Sequence, residues 1–375
     1  MKQIRFIFLL LLIFIATSCR EHIFENERLY KIIDVGNADN VSVELNGYIT
    51  DVVALETIDK AMIQDVSSLF ITDSYIIVFD KPAQQVLQFD RSGKFIRRIS
   101  QKGRGPNELP ELREVVLYNN MLYMYGLGRK LLVMDMNGHI VNNIQLEKGD
   151  FISFQPDVNG VIWTYLYSDN KGNRDYYLTA LDNNLNIKDQ WDEKHHKSLH
   201  VKRPQKYFFK DVAGDLYFHH HLSDYIYKLD NNEANPMYRF DFGKNNNPDY
   251  AKISKLWKND EIEAALENRT CVGDMVFIGE YLLFSYSRMQ KGDTMRKYAI
   301  YNAKENKTYI LNHSVEISFY LNQISADGME FYRVIQPHWL KGKVLKEYEQ
   351  RCGRQILEDD NPIIIIDKIT DISLR

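Results

Sequence analysis

Apolar residues along this chain come in short runs that alternate with polar ones and are broken by stretches rich in Gly, Asn and Asp. Alternation with a period of two is the pattern of half-buried β-strands. Two stretches read almost alike: "YIIVFDKPAQQVLQFDRSGKFIRRI" from Tyr75 and "NMLYMYGLGRKLLVMDMNGHIVNNI" from Asn120. Each has an apolar run, a polar break, a second run ending in Asp, a Gly turn and a third run. Asp90-Arg91-Ser92-Gly93 and Asp135-Met136-Asn137-Gly138 occupy equivalent places and predict tight hairpins. Looser copies begin at Val161, Asp215 and Tyr281, and a further short strand precedes each unit, such as "SSLFITDS" before Tyr75 or "REVVLYNN" before Met121.

A unit of four strands, A to D, recurring at roughly forty to sixty residues is the signature of a β-propeller blade. Helical repeats of similar period are excluded by the alternation and by the abundance of Tyr, Phe, Val and Ile in the runs. Five units are complete, and the chain ends supply a sixth. "SFYLNQIS", "MEFYRVIQP" and "NPIIIIDKI" give its strands A to C, and "DVVALET" (Asp51 to Thr57) gives strand D. Pairing the two ends removes exposed sheet edges. The expected fold is an all-β, six-bladed β-propeller over residues 41–375, with four-stranded antiparallel blades and an N-terminal strand closing the last one.

The order "ALET … YIIVFD … VLQFDRSGKFIRRI … GRGPNE" resembles the six-bladed β-propeller lipoproteins of Gram-negative anaerobes, distant relatives of NHL-repeat propellers. The terminal "EDDNPIIIIDKI" is similar to the closing strand of that family. The resemblance implies a fold and no catalytic residues, because that family is defined by its architecture alone.

The N-terminus adds a compartment. Met1 to Arg5 is short and basic, Phe6 to Ile15 is apolar, and Ala16-Thr17-Ser18 leads to Cys19. That order describes a secretory signal over residues 1–18. A cysteine directly after small residues resembles a lipobox, with Cys19 as the lipidated first residue of the mature chain. Residues 19–40 then form a tether, and the protein is expected as an outer-membrane lipoprotein, periplasmic or surface-exposed, held to the membrane through its lipid. Net charge is −4 and no stretch is strongly basic, which argues against nucleic acid as a partner. The two remaining cysteines, Cys271 and Cys352, are open to pairing or to standing as free thiols.

Antiparallel strands sort the links between them onto two faces. The C–D turns "DRSG", "DMNG" and "DNNLN" are short and structural. The D–A and B–C links share the other face and collect nearly everything irregular: Ser100 to Leu112, Gly126 to Lys130, Ser168 to Arg174, Asp192 to Gln205, His219 to His221 and Arg288 to Arg296. Two helical insertions, at 247–270 and 337–360, belong to the same face. Long loops on one face of a rigid scaffold are where binding usually sits. Arg104, Arg129, Lys130, Arg174, Arg288 and Arg296 give that face a basic, hydrogen-bonding character, and Trp339 offers an aromatic plane for sugar rings or apolar groups. His219 and His221 are candidates for the same ligand surface.

The clustered histidines, His195, His196, His200 and His219 to His221, raise zinc as an alternative, but no His-x-x-x-His or Cys-x-x-Cys spacing supports it. No nucleophile elbow, zincin motif, Walker loop or Asp-box with tryptophan occurs, and no cofactor is implied. The reading is a binding or scaffold protein for a glycan, a peptide or an envelope protein. A metal-dependent hydrolase or lyase in the axial funnel is the alternative. "SQKGRGPNELPEL" (Ser100 to Leu112) looks like a phosphate loop, yet no helix follows to supply an amide cradle, so it is read as the crossover between blades one and two.

Overall fold

The computed structural model describes residues 30–375 except 106–107, 147–149, 169–174, 192–205, 221–222, 246–258, 289–295 and 313–329. Twenty-five strands, β1 to β25 in chain order, form six sheets among these residues. Blade 1 is β4 (Ser68–Ile71), β5 (Tyr75–Asp80), β6 (Gln85–Asp90) and β7 (Phe95–Gln101). Blade 2 is β8 (Leu112–Tyr118), β9 (Met121–Gly126), β10 (Lys130–Asp135) and β11 (Ile140–Gln145). Blade 3 is β12 (Ser153–Pro156), β13 (Ile162–Ser168), β14 (Asp175–Leu181) and β15 (Ile187–Trp191). Blade 4 is β16 (Phe208–Lys210), β17 (Leu216–His219), β18 (Tyr225–Asp230) and β19 (Glu233–Asp241). Blade 5 is β20 (Thr270–Ile278), β21 (Tyr281–Arg288), β22 (Arg296–Asn302) and β23 (Lys307–Leu311).

Blade 6 closes the ring as the sequence predicts. β24 (Glu330–Ile335) pairs with β25 (Ile363–Leu374), and β25 pairs antiparallel with β3 (Val43–Ala54) from the other end of the chain. Its expected strand A, "SFYLNQIS", lies outside the described residues. So do Cys19, Arg174, His195, His196, His200 and His221, and the segments expected as the signal and the start of the tether.

The middle strands explain why some runs are apolar at nearly every position rather than alternating. Each blade packs both faces against neighbours, so β5 and β6 are buried along most of their length, whereas the outer β11 is largely exposed. Apolar cores sit at all six joints. Ile77, Val86 and Leu122 join blades 1 and 2; Leu131, Phe154 and Leu181 join 2 and 3; Trp163, Leu178 and Phe218 join 3 and 4. Phe240, Phe277 and Phe284 join 4 and 5; Ile300, Phe331 and Ile369 join 5 and 6; Val53, Ile76 and Ile364 join 6 and 1. Six joints with six blades make a closed ring.

The segment expected as the end of a tether is part of the folded body. β1 (Lys31–Asp34) adds to blade 4 as a fifth strand, parallel to β19, and β2 (Asp39–Val41) does the same to β23 of blade 5. Ile33 is fully buried in the joint between these blades. Residues 31–54 therefore run as one belt along blades 4, 5 and 6. Helix α1 (Asn259–Leu266) falls in the first expected insertion. Helix α2 (Gly342–Cys352), with a single turn at Pro337–Trp339 before it, forms the second. Among the described residues no helix is long and apolar enough to cross a membrane. Cys271 and Cys352 are free thiols, in blade 5 and at the end of α2; burial pushes Cys271 up to about 12.

Candidate functional site

The two faces of the ring differ in what their polar groups do. On the A–B and C–D face, five turns repeat one device. Asp90, Asp135, Asp157, Asp182 and Asp211 each use one carboxylate oxygen to accept the backbone N–H groups two and four residues on, at 2.8–3.0 Å. The residue three on is left-handed each time: Gly93, Gly138, Gly160, Leu185 and Gly214. These hydrogen bonds hold three of the carboxyls below the usual range, led by the Ser92 hydroxyl at Asp90, the His139 amide at Asp135 and the Asn186 side chain at Asp182. In blades 3 and 4 the second oxygen accepts from the next strand, from Trp163 Nε1 at 3.0 Å on Asp157 and from the Tyr217 hydroxyl at 3.1 Å on Asp211. The sequence showed only the short C–D turns as structural; the matching A–B turns and their aromatic donors emerge from the structure.

On the D–A and B–C face the loops are held together by hydrogen bonds of their own. In the opening loop the Gly105 N–H donates to Glu108 Oε2 at 2.7 Å, and the Gly103 N–H donates to the Leu109 carbonyl at 3.0 Å. A Cβ on Gly103 would stand 1.9 Å from Glu108 Oε2, so only glycine lets that carboxylate fold back. The chain's own Glu108 thus fills the place a phosphate would take. Leu109 is buried in the joint between blades 1 and 2, and Arg104 points to solvent. The B–C tip of blade 2 packs on this loop: Leu127 N–H donates to the Glu111 carbonyl at 2.8 Å and Lys130 Nζ to the Glu108 carbonyl at 3.5 Å. Arg129 is left-handed, with φ 61°, and its carbonyl accepts the Leu146 N–H. Arg104, Arg129 and Lys130 are therefore brought into one lobe.

Next to that lobe lies a polar cluster that the sequence reading missed. The register of β8 against β9 slips between Leu112 and Glu114, a bulge at Arg113. Arg113 donates to Asp150 Oδ2 at 2.8 Å and stands 3.5 Å from Glu111. The Tyr125 hydroxyl donates to Asp150 Oδ1, the Phe151 N–H donates to the same oxygen at 3.0 Å, and the two rings stack at 3.9 Å. Burial raises the Tyr125 phenol, with the Asp150 carboxylate adding to it. Glu114 accepts the Ser153 hydroxyl at 2.7 Å on one oxygen, while the other is buried without a partner. Burial pushes this carboxyl up to about 8, against the opposing pull of Ser153 and Lys81, so it carries a proton at neutral pH.

The remaining candidates are distributed round the ring. Arg288 and Arg296 are exposed where β21 ends and β22 begins in blade 5, and Arg296 reaches the buried Asp274 at 3.8 Å. Trp339 stands in the blade 6 insertion, 64% exposed. His219 is a correction: it ends β17 with 2% exposure, shares a hydrogen bond of 3.0 Å with the Tyr225 carbonyl through Nδ1, and packs its ring edge-on to Phe240. Burial pushes it down to about 4, so it is a neutral core residue and no part of a ligand surface. Among the described residues no three His, Cys, Asp or Glu side chains are grouped to hold a metal ion.

A family model described as "Domain of unknown function (DUF4934)" matches residues 30–368. The chain belongs to the DUF4934 family. The matched span begins at the belt, in agreement with a folded body that includes it. A solved structure of a Bacteroides fragilis protein described as exported aligns with a TM-score of 0.67 at 17% identity, covering 91% of this chain and all of that one (100%). A member of the DUF4221 family from Bacteroides vulgatus aligns with a TM-score of 0.51 at 11% identity, covering 89% and 99% of the two chains. At these identities the DUF4934 chain shares a fold with both. No curated protein matches it.

Proposed function

We propose that this chain is an exported, non-catalytic binding protein, held to the outer membrane by a lipid on Cys19, that presents its D–A and B–C face to a glycan, a peptide or another envelope protein. The observation that carries the reading is the contrast between the faces. Five aspartates on one face are consumed by turn geometry, whereas Arg104, Arg288 and Trp339 on the other stand in solvent on a rigid ring. The lipobox-like sequence before Cys19 supports the anchor, and the Bacteroides fragilis neighbour described as exported supports the compartment. A photo-crosslinking residue at Arg104 should capture envelope components that the same residue at Asn137, on the opposite face, does not. Equal capture from both positions would sink the assignment of the face. Metabolic labelling with a fatty acid should be lost in Cys19→Ala; retained label would place the lipid elsewhere.

A further inference from the structure

The insertion that interrupts blade 6 carries a surface that the blade does not need. Pro337, Leu340, Tyr348 and Ile356 are buried, and Leu340, Tyr348 and Ile356 form a small core with Val52, Ile363 and Ile365 of the blade. Leu345 and Cys352 of α2 pack against it, so the apolar stripe of the helix faces inward. Trp339, beside the buried Leu340, is the most exposed large hydrophobic residue among those described, and its indole meets His338 edge-on at 5.4 Å. Lys341, Lys343 and Lys346 follow it and are exposed. Among the described residues none of the three lysines has a carboxylate within ion-pair distance, in contrast to Arg351, which binds Glu347 at 3.3 Å, and Arg354, which lies 3.5 Å from Asp360. No acidic residue occurs between Glu330 and Glu347. In a chain of net charge −4, this is a local cationic surface around one bare aromatic plane.

We propose that this surface binds an acidic polysaccharide, with Trp339 stacked on a sugar ring and Lys341, Lys343 and Lys346 against its carboxylates or sulfates. The assignment rests on the reading of the loop-bearing face as the binding face and names the ligand class there. Charge complementarity selects a polyanion. A bilayer is disfavoured because a helix that lies in a membrane interface inserts its apolar stripe, and that of α2 is already spent on the core. A flat amphipathic indole flanked by cations with no carboxylate partner among the described residues suits a ring bearing anions.

The test uses the full chain in affinity electrophoresis through gels containing polygalacturonate, with heparin as a sulfated polymer, dextran as a neutral one and phosphatidylglycerol vesicles in a parallel flotation assay. Polygalacturonate or heparin should retard the protein and dextran should not. Trp339→Ala should weaken binding about ten-fold, or about 1.4 kcal/mol, with Trp339→Phe restoring part of it. Lys341→Ala/Lys343→Ala/Lys346→Ala should abolish both retardation and its salt dependence. All four positions are exposed, so unchanged melting temperatures are expected. No retardation by either acidic polymer, retardation that survives both variants, or flotation with vesicles in place of polymer binding would each overturn the proposal. Crosslinking from Arg104 without polymer binding removes this ligand and leaves the binding face; polymer binding lost in these variants, with no preference in crosslinking, does the reverse.

Discussion

Glu114→Gln isolates the one carboxyl among the described residues whose burial holds it well above the ordinary carboxylate range. Below the ordinary value of 4.5 the glutamic acid is neutral folded and unfolded, so the two proteins should be about equally stable. Above it the unfolded chain releases the proton while the folded one keeps it up to about 8. A carboxyl raised in this way contributes stability that is fully present at low pH and is lost as pH rises through the folded value. The slope is about 1.4 kcal/mol per pH unit for one proton, and the whole gap sets a ceiling of about 5 kcal/mol. Water reaching the half-buried residue reduces this, so a loss of about 2–3 kcal/mol between about pH 5 and 8 is expected in the parent protein beyond that of the variant. The Ser153 hydroxyl can still donate to the amide oxygen, so the packing of blades 2 and 3 is preserved. Urea unfolding of both proteins across that range, followed by fluorescence, gives the difference directly. A difference that does not change with pH would refute the argument, because it would mean that the folded carboxyl titrates like the unfolded one.

Two further expectations concern the scaffold. Ile33→Ala should destabilise the protein by about 2–4 kcal/mol in the same assay, because a fully buried side chain at the joint of blades 4 and 5 leaves a cavity. A residue in a mere tether would show no effect. Asp157→Ala should remove about 2–4 kcal/mol by stranding the Asn159 and Val161 amides and the buried Trp163 Nε1; a loss under about 0.5 kcal/mol would show that the turn holds without its aspartate.

The blades were legible in the sequence because their signals are local. Alternation in "YIIVFD" and "LLVMD", and an Asp followed three residues later by a residue that must be left-handed, depend only on the strand period and on turn geometry. Antiparallel direction then sorts the loops between two faces before any coordinate is known, and an unpaired strand at each end predicts the closure through β3. Other features depend on which strands the ring brings together. The short runs of β1 and β2 gain their place by parallel pairing to β19 and β23, some two hundred residues or more away in sequence, and no local pattern announces it. The opening Gly-Arg-Gly loop looks like an anion cradle until Glu108 is seen to fold into it. His219 reads as a loop histidine from its neighbours along the chain, yet blade 4 seals it against Phe240. Arg113, Tyr125 and Asp150 meet because a bulge turns one blade's inner strand toward the next. Trp339 shows the same limit from outside: hydrophobicity predicts burial, yet Leu340 and Tyr348 fill the core between insertion and blade and the indole is left in water. Period and turn chemistry are properties of neighbouring residues, whereas burial and partnership are properties of the closed ring.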